Sequence, residues 1–184
     1  MSENDRWVDL VQEGVDCVLR YGKLRDSELV ARQVATLERI VCATPAYLRR
    51  YGTPADLAAL DGHQMVGLRM GTTDNLMPME FGAGADVQGV TLPCAMSVTG
   101  TESYLCAIRL GLGIAQVPRF HVEPDLHSGA LVQVLAHIPQ PAMPVSLVYQ
   151  RTRQLSPRVR VFIDWAVREF ANRHAPAAGD SIGA

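Results

Sequence analysis

Residues 98–118 (VTGTESYLCAIRLGLGIAQVP) constrain this chain more than any other stretch. They read as a strand end, a helix start, a helix, a glycine stop and a second strand closed by Pro118. Thr99 and Glu102 have the S/T-x-x-E spacing of a capping box. Gly111 or Gly113 can take the left-handed conformation that ends a helix. A helix that starts directly after a strand points free backbone N–H groups beyond the strand end. That arrangement suits a small anionic or polar molecule, and by itself implies no chemistry.

The same alternation runs along the chain. Residues 7–14 read as a short helix, 16–21 as a buried strand, 24–27 as a polar loop, 29–37 as an irregular strand and 39–43 as an apolar strand. Thr44-Pro45 and Thr53-Pro54 each place an N-cap threonine before a first-turn proline. They predict helices over 46–51 and 55–60. Residues 64–69 read as a strand, 76–89 as a loop or hairpin, 90–98 as a strand, and 120–128 as a helix stopped by Gly129. Strands are expected over 131–135 and 145–150. A last helix from Ser156-Pro157 to about Phe170 buries Val159, Phe162, Ile163, Ala166 and Phe170 at helical spacing. Residues 172–184 lack periodicity and read as a disordered tail. Strands alternating with helices predict an α/β architecture with largely parallel sheets.

Composition narrows the function classes. The 184 residues are enough to bury a sizeable core in one domain or two small ones. A net charge of −2 gives no electrostatic footprint for nucleic acid. No apolar run approaches the ~20 residues that span a bilayer. The N-terminal sequence lacks the basic and then apolar order of a secretory signal, so a cytoplasmic location is expected. Cys17, Cys42, Cys94 and Cys106 form no C-x-x-C pair and sit among apolar neighbours, as buried reduced thiols do. Cys42, beside the Thr44-Pro45 turn, is the best candidate for a reactive thiol.

Catalytic signatures are missing. There is no G-x-S-x-G, P-loop or H-E-x-x-H pattern. Gly111-Leu112-Gly113 follows a helix and precedes a strand, the reverse of a dinucleotide fingerprint. The histidines His63, His121, His127, His137 and His174 are scattered, and His121 with Glu123 has no second pair to complete a metal site. Met65, Met70, Met77 and Met79 read as core or pocket-lining residues. No cofactor, no metal and no catalytic residue is expected.

Four segments together resemble the effector-binding domain of LysR-type transcriptional regulators. They are residues 8–22 (VDLVQEGVDCVLRYG), 42–54 (CATPAYLRRYGTP), 111–118 (GLGIAQVP) and 155–165 (LSPRVRVFIDW), in matching order and spacing over roughly residues 5–171. The resemblance implies a periplasmic-binding-protein-like fold, in which two α/β subdomains flank a cleft and the chain crosses between them twice. The crossings would fall near residues 40–43 and 145–149. Subdomain I would comprise 1–42 plus 146–171, subdomain II 43–145, and the tail 172–184. The family binds a small molecule in the cleft, forms dimers or tetramers in the cytoplasm, and reaches DNA through an N-terminal winged helix-turn-helix. That element, its linker helix and the first strand, helix and strand of the effector domain are not recognised here, since the pattern is joined at residues 7–14. Subdomain I is therefore expected to be incomplete.

In a doubly wound sheet, ligands sit beyond the carboxyl ends of strands. That criterion selects Thr44, Thr72, Thr73, Thr99, Gly100, Thr101, Gln116 and Pro118 as ligand-binding candidates, with Arg20 as a possible anion partner or surface ion pair. For Thr44 and Thr99, helix capping alone is a sufficient role at ~1 kcal/mol each. The leading expectation is a sensor of a small, anionic metabolite. The competing readings are a solute-binding protein of a transport system, a non-functional regulator fragment, and an enzyme with an unrecognised site.

Overall fold

The computed structural model describes residues 15–22, 29–69, 75–150 and 156–173. The expected helix at 7–14, the loop at 24–27, Thr72, Thr73 and the tail beyond 173 lie outside the described residues. The chain divides into two units, after Leu37 and again after Ala142. These divisions lie upstream of the boundaries expected at 42/43 and 145/146. The cause is strand pairing: residues 39–43 pair within the larger unit, and residues 143–145 pair within the smaller one.

The smaller unit is an antiparallel sheet, β1 (Cys17–Tyr21) and β2 (Leu29–Leu37) on either side of β10 (Met143–Gln150). Helix α4 (Pro157–Arg173) packs on it through Val159, Ile163 and Ala166, which meet Leu147, Leu19, Val34 and Tyr149. Phe162, assigned to this stripe by spacing, is 40% exposed and its ring lies tilted against that of Trp165, centroids 5.7 Å apart.

The larger unit is built around β3 (Arg39–Ala43), the most buried strand among the described residues. It lies between β8 (Ala115–Pro118) and β9 (Val132–Val134), antiparallel to both. Strands β4 (Gly67–Leu68) and β7 (Ser97–Val98) pair in parallel, and a parallel bridge between Met65 and Ile114 links this pair to β8. A continuous layer therefore runs β7, β4, β8, β3, β9. Alternation along β3 feeds two cores. Ile40 and Cys42 face helix α2 (Thr101–Arg109) through Tyr104, Leu105 and Ile108. Val41 and Ala43 face helix α1 (Pro45–Tyr51) and the hairpin of β5 (Met79–Phe81) and β6 (Gln88–Val90), through Tyr47, Met79 and Phe81. Helix α3 (Glu123–Ser128) ends at Gly129 in the left-handed region, the stop read from sequence.

Three expectations fail for identifiable reasons. The sheets are mostly antiparallel: a strand buried on both faces has the same apolar run in either direction, so composition does not fix polarity. The helix expected at 55–60 is only a 3-10 turn at Ala58–Leu60. Asp56 Oδ1 accepts the Ala59 N–H at 2.8 Å and offers the backbone a local turn. The strand expected at 90–98 is broken into β6 and β7, with Pro93 between them accepting the Met65 N–H at 2.9 Å.

Candidate functional site

The sheet of the larger unit decides which candidate residues can share a site. Strands β4, β7 and β8 run the same way, so the carboxyl ends of all three lie along one edge. Thr99, Gly100 and Thr101 follow β7 at that edge, and Pro118 ends β8 there. Arg39, opposite Pro118 in the register, starts β3 at the same edge. Thr44 follows β3 at the other end of the layer. The five residue-to-residue steps from Arg39 to Thr44 set the two ends about 17 Å apart. Antiparallel pairing of β3 thus removes Thr44 from the group to which a parallel sheet would assign it.

Thr44 has a structural role. It is buried, caps α1 by accepting the Tyr47 N–H at 3.2 Å, and packs against the turn at Gly111. Gln116 is likewise engaged within the protein. Its amide group accepts the Glu80 N–H at 2.9 Å and donates to the Glu80 carbonyl at 2.8 Å and to Gln140 Oε1 at 2.8 Å. These bonds pin the β5–β6 hairpin to β8. Arg20 carries an interaction within the protein as well.

The start of α2 differs from the expected capping box. Its N-cap is Gly100, with no side-chain cap, and Thr99 is exposed one residue earlier. The first intrahelical bond runs from the Tyr104 N–H to the Gly100 carbonyl at 2.9 Å. The amides of Thr101, Glu102 and Ser103 precede it, at the positive end of the helix dipole. Nearby, Arg69 donates to Ser97 Oγ at 2.9 Å while its own N–H bonds the Val98 carbonyl at 2.8 Å. Sequence reasoning missed Arg69, whose position one residue past β4 was the available signal. Below the edge, Tyr104 donates to the Gln116 carbonyl at 3.3 Å, and burial pushes its phenol well above the ordinary range.

The thiols also depart from expectation. Cys42 is fully buried, and burial, with Asp125 adding to it, pushes its thiol up to about 12. It is therefore inert as a nucleophile. Cys106 on α2 is exposed, and Cys17 and Cys94 are partly so. The one-residue-in-four spacing of α2 places Cys106 away from Tyr104, Leu105 and Ile108. Among the described residues no group of three His, Cys, Asp or Glu side chains is arranged to hold a metal. Among them, too, no helix is long and apolar enough to cross a membrane.

The chain is thus a mixed α/β chain of two units, with helix starts along one strand edge of the larger one. Comparison with known proteins makes the class specific: the LysR substrate binding domain matches residues 1–171, and the chain belongs to that family. Its fold class is the two-subdomain, periplasmic-binding-protein-like α/β fold of LysR regulatory domains. The HTH-type transcriptional regulator YhjC of Escherichia coli is 35% identical over 165 residues, covering 90% of this chain and 55% of that protein. The HTH-type transcriptional regulator CrgA of Neisseria meningitidis is 32% identical over 177 residues, covering 94% and 57%. The solved CrgA regulatory domain superposes with a TM-score of 0.74 at 29% identity, covering 92% of this chain and 81% of that one. The Vibrio cholerae virulence activator AphB shares the fold at a TM-score of 0.71 and 24% identity, over 88% of this chain and 53% of that one. The chain spans about half the length of the curated relatives it matches.

Proposed function

We propose that this chain is the ligand-sensing part of a cytoplasmic LysR-type regulator, and that it binds a small anionic effector at the α2 edge of its larger unit to control transcription. The observation that carries this reading is the uncapped start of α2, which stands at the same sheet edge as Arg69 and Pro118. The positive end of the α2 dipole and the positive charge of Arg69 together favour a carboxylate or phosphate group. Thr99 and Thr101 stand on either side of Gly100, and Thr101 already carries an interaction within the protein. Thr72 and Thr73, four and five residues beyond β4, are retained as part of the same proposed edge.

In this reading the regulator works as a dimer or higher oligomer, and DNA is contacted through a helix-turn-helix outside residues 1–184. The effector acts by binding one conformation of the regulator better than another. Thermal-shift titration with a panel of small carboxylates and inorganic phosphate tests it. At least one ligand should stabilise the protein, and a Thr99→Val, Thr101→Val double variant should lose that shift while Thr44→Ser keeps it. Equal shifts for native protein and double variant, or no shift with any anion, would reject the anionic site.

A further inference from the structure

Helix α4 carries two rows of apolar residues. Val159, Ile163 and Ala166 form the row that packs on the sheet of the smaller unit. Phe162 and Trp165 lie outside that core, 40% and 50% exposed, and Val161 beside them is 67% exposed. Large apolar side chains gathered in one patch mark an interaction surface, whereas single ones scattered over a surface do not.

The charges around the patch are ordered as well. Arg158, Phe162, Trp165 and Glu169 follow one another at steps of four, three and four residues, the spacing of a coiled-coil seam. With 3.6 residues per turn, this seam is turned roughly 100° around the helix from the buried row. It reads basic, aromatic, aromatic, acidic, so it is its own complement when reversed. An antiparallel two-fold pairing about the point between Phe162 and Trp165 sets Phe162 of one copy against Trp165 of the other. The same pairing sets Arg158 against Glu169 at both ends. A parallel pairing would instead oppose Arg158 to Arg158 and Glu169 to Glu169. The charges thus select both the partner and its direction. Arg158 already meets Asp16 at 3.5 Å, but that pair is exposed and weak. Glu169 also carries an interaction within the protein.

We infer that this outer seam of α4 is an isologous contact between two copies of the chain, with Phe162 and Trp165 as its core and Arg158–Glu169 ion pairs closing both ends. A self-complementary patch pairs about a two-fold axis, and aromatic residues and arginine are the types that anchor interfaces. The inference gives the oligomer of the functional reading a surface, and its test is independent of the effector.

The test is sedimentation equilibrium of the 184-residue chain under reducing conditions, over a range of concentrations. The native chain should show a monomer–dimer equilibrium. Trp165→Ser should weaken it at least about tenfold. Arg158→Glu and Glu169→Arg should each weaken it about tenfold, because like charges then face each other at both ends. Asp16→Asn should leave it unchanged. The double variant Arg158→Glu, Glu169→Arg should return the native dissociation constant. Residues eleven apart on one helix are separated by about 16 Å along its axis, so that rescue cannot arise within one chain. If Trp165→Ser fails to fold, the charge exchange decides alone. A native chain that stays monomeric at every concentration overturns the assignment. So does a dimer that folded Trp165→Ser leaves intact, or a double variant no tighter than the single ones.

Discussion

Gly113 is the position where a single methyl group should do the most damage. A Cβ built there meets the Met65 carbonyl carbon at 2.7 Å, the Gln64 oxygen at 2.8 Å and the Val66 nitrogen at 2.9 Å. All three are backbone atoms, so no side chain can swing aside. The strands must separate by more than half an ångström to reach ordinary contact. The bonds across that gap are Val66 N–H to the Ile114 carbonyl at 3.0 Å and Ile114 N–H to the Gln64 carbonyl at 2.9 Å. They are the parallel bridge that joins β4 and β7 to the central sheet. Overpacking costs about 1–3 kcal/mol, and weakening two backbone bonds adds roughly 1 kcal/mol each. Gly113→Ala should therefore lose about 3 kcal/mol, a fall of roughly 6–12 °C in Tm for a chain of this size. Gly129→Ala is the control: its Cβ meets nothing within 4 Å, and only its left-handed backbone at φ 74° is strained. That variant should lose about 1 kcal/mol. Calorimetry or urea unfolding of both variants gives the comparison. A Gly113→Ala loss below 1 kcal/mol, or one smaller than that of Gly129→Ala, would refute the close strand approach.

Other outcomes follow from the same contacts. Arg39→Ala should cost about 1–2 kcal/mol in urea unfolding, because its partner Glu80 can rehydrate, whereas Arg32→Ala, which breaks the exposed pair with Asp164, should stay within about 0.5 kcal/mol. Gln116→Leu should cost about 1–3 kcal/mol and raise amide exchange at Glu80, since the hairpin loses both of its bonds to β8. Iodoacetamide at neutral pH followed by mass spectrometry should label Cys106 first and Cys42 last; early labelling of Cys42 would contradict its burial. Burial lowers the pKa of His63 and of His121, so the fold favours their neutral forms. Their contribution is present above the ordinary value of 6.5 and is lost as pH falls below it through the lowered folded values. Unfolding at pH 7.5 and pH 5 should show that loss, and His63→Gln should reduce it.

Local structure was legible where a residue type has one physical use. The strands at 29–37 and 39–43 and the helix behind Thr44-Pro45 stand where apolar runs and a first-turn proline place them. Gly129 stops α3 because the left-handed turn there suits glycine. What sequence pattern does not contain is strand direction. Thr44 and Thr99 look equivalent as cap threonines, yet β3 and β7 end at opposite edges of the layer. Thr99 and Glu102 have the spacing of a capping box, but the helix starts one residue later, so Gly100 takes the cap position. Gln116 and Arg39 were equally hard to read. Their partners at Glu80, Gln140 and Pro141 are distant in sequence, and only the assembled sheet brings them together. Phe162 shares the helical spacing of the α4 stripe, yet the contacts with the sheet are made by Val159, Ile163 and Ala166, and Phe162 lies against Trp165 instead.

The account rests on the larger unit receiving its ligand where α2 begins. Backbone amide NMR of the ¹⁵N-labelled chain, titrated with the carboxylate that gives the largest thermal shift, reads that location residue by residue. The account predicts saturable shifts at residues 99–103 and Arg69, with the amides of Thr44 and Tyr47 unmoved. Shifts concentrated around Thr44 and α1 instead, with residues 99–103 silent, would place the ligand at the opposite end of the sheet and contradict it.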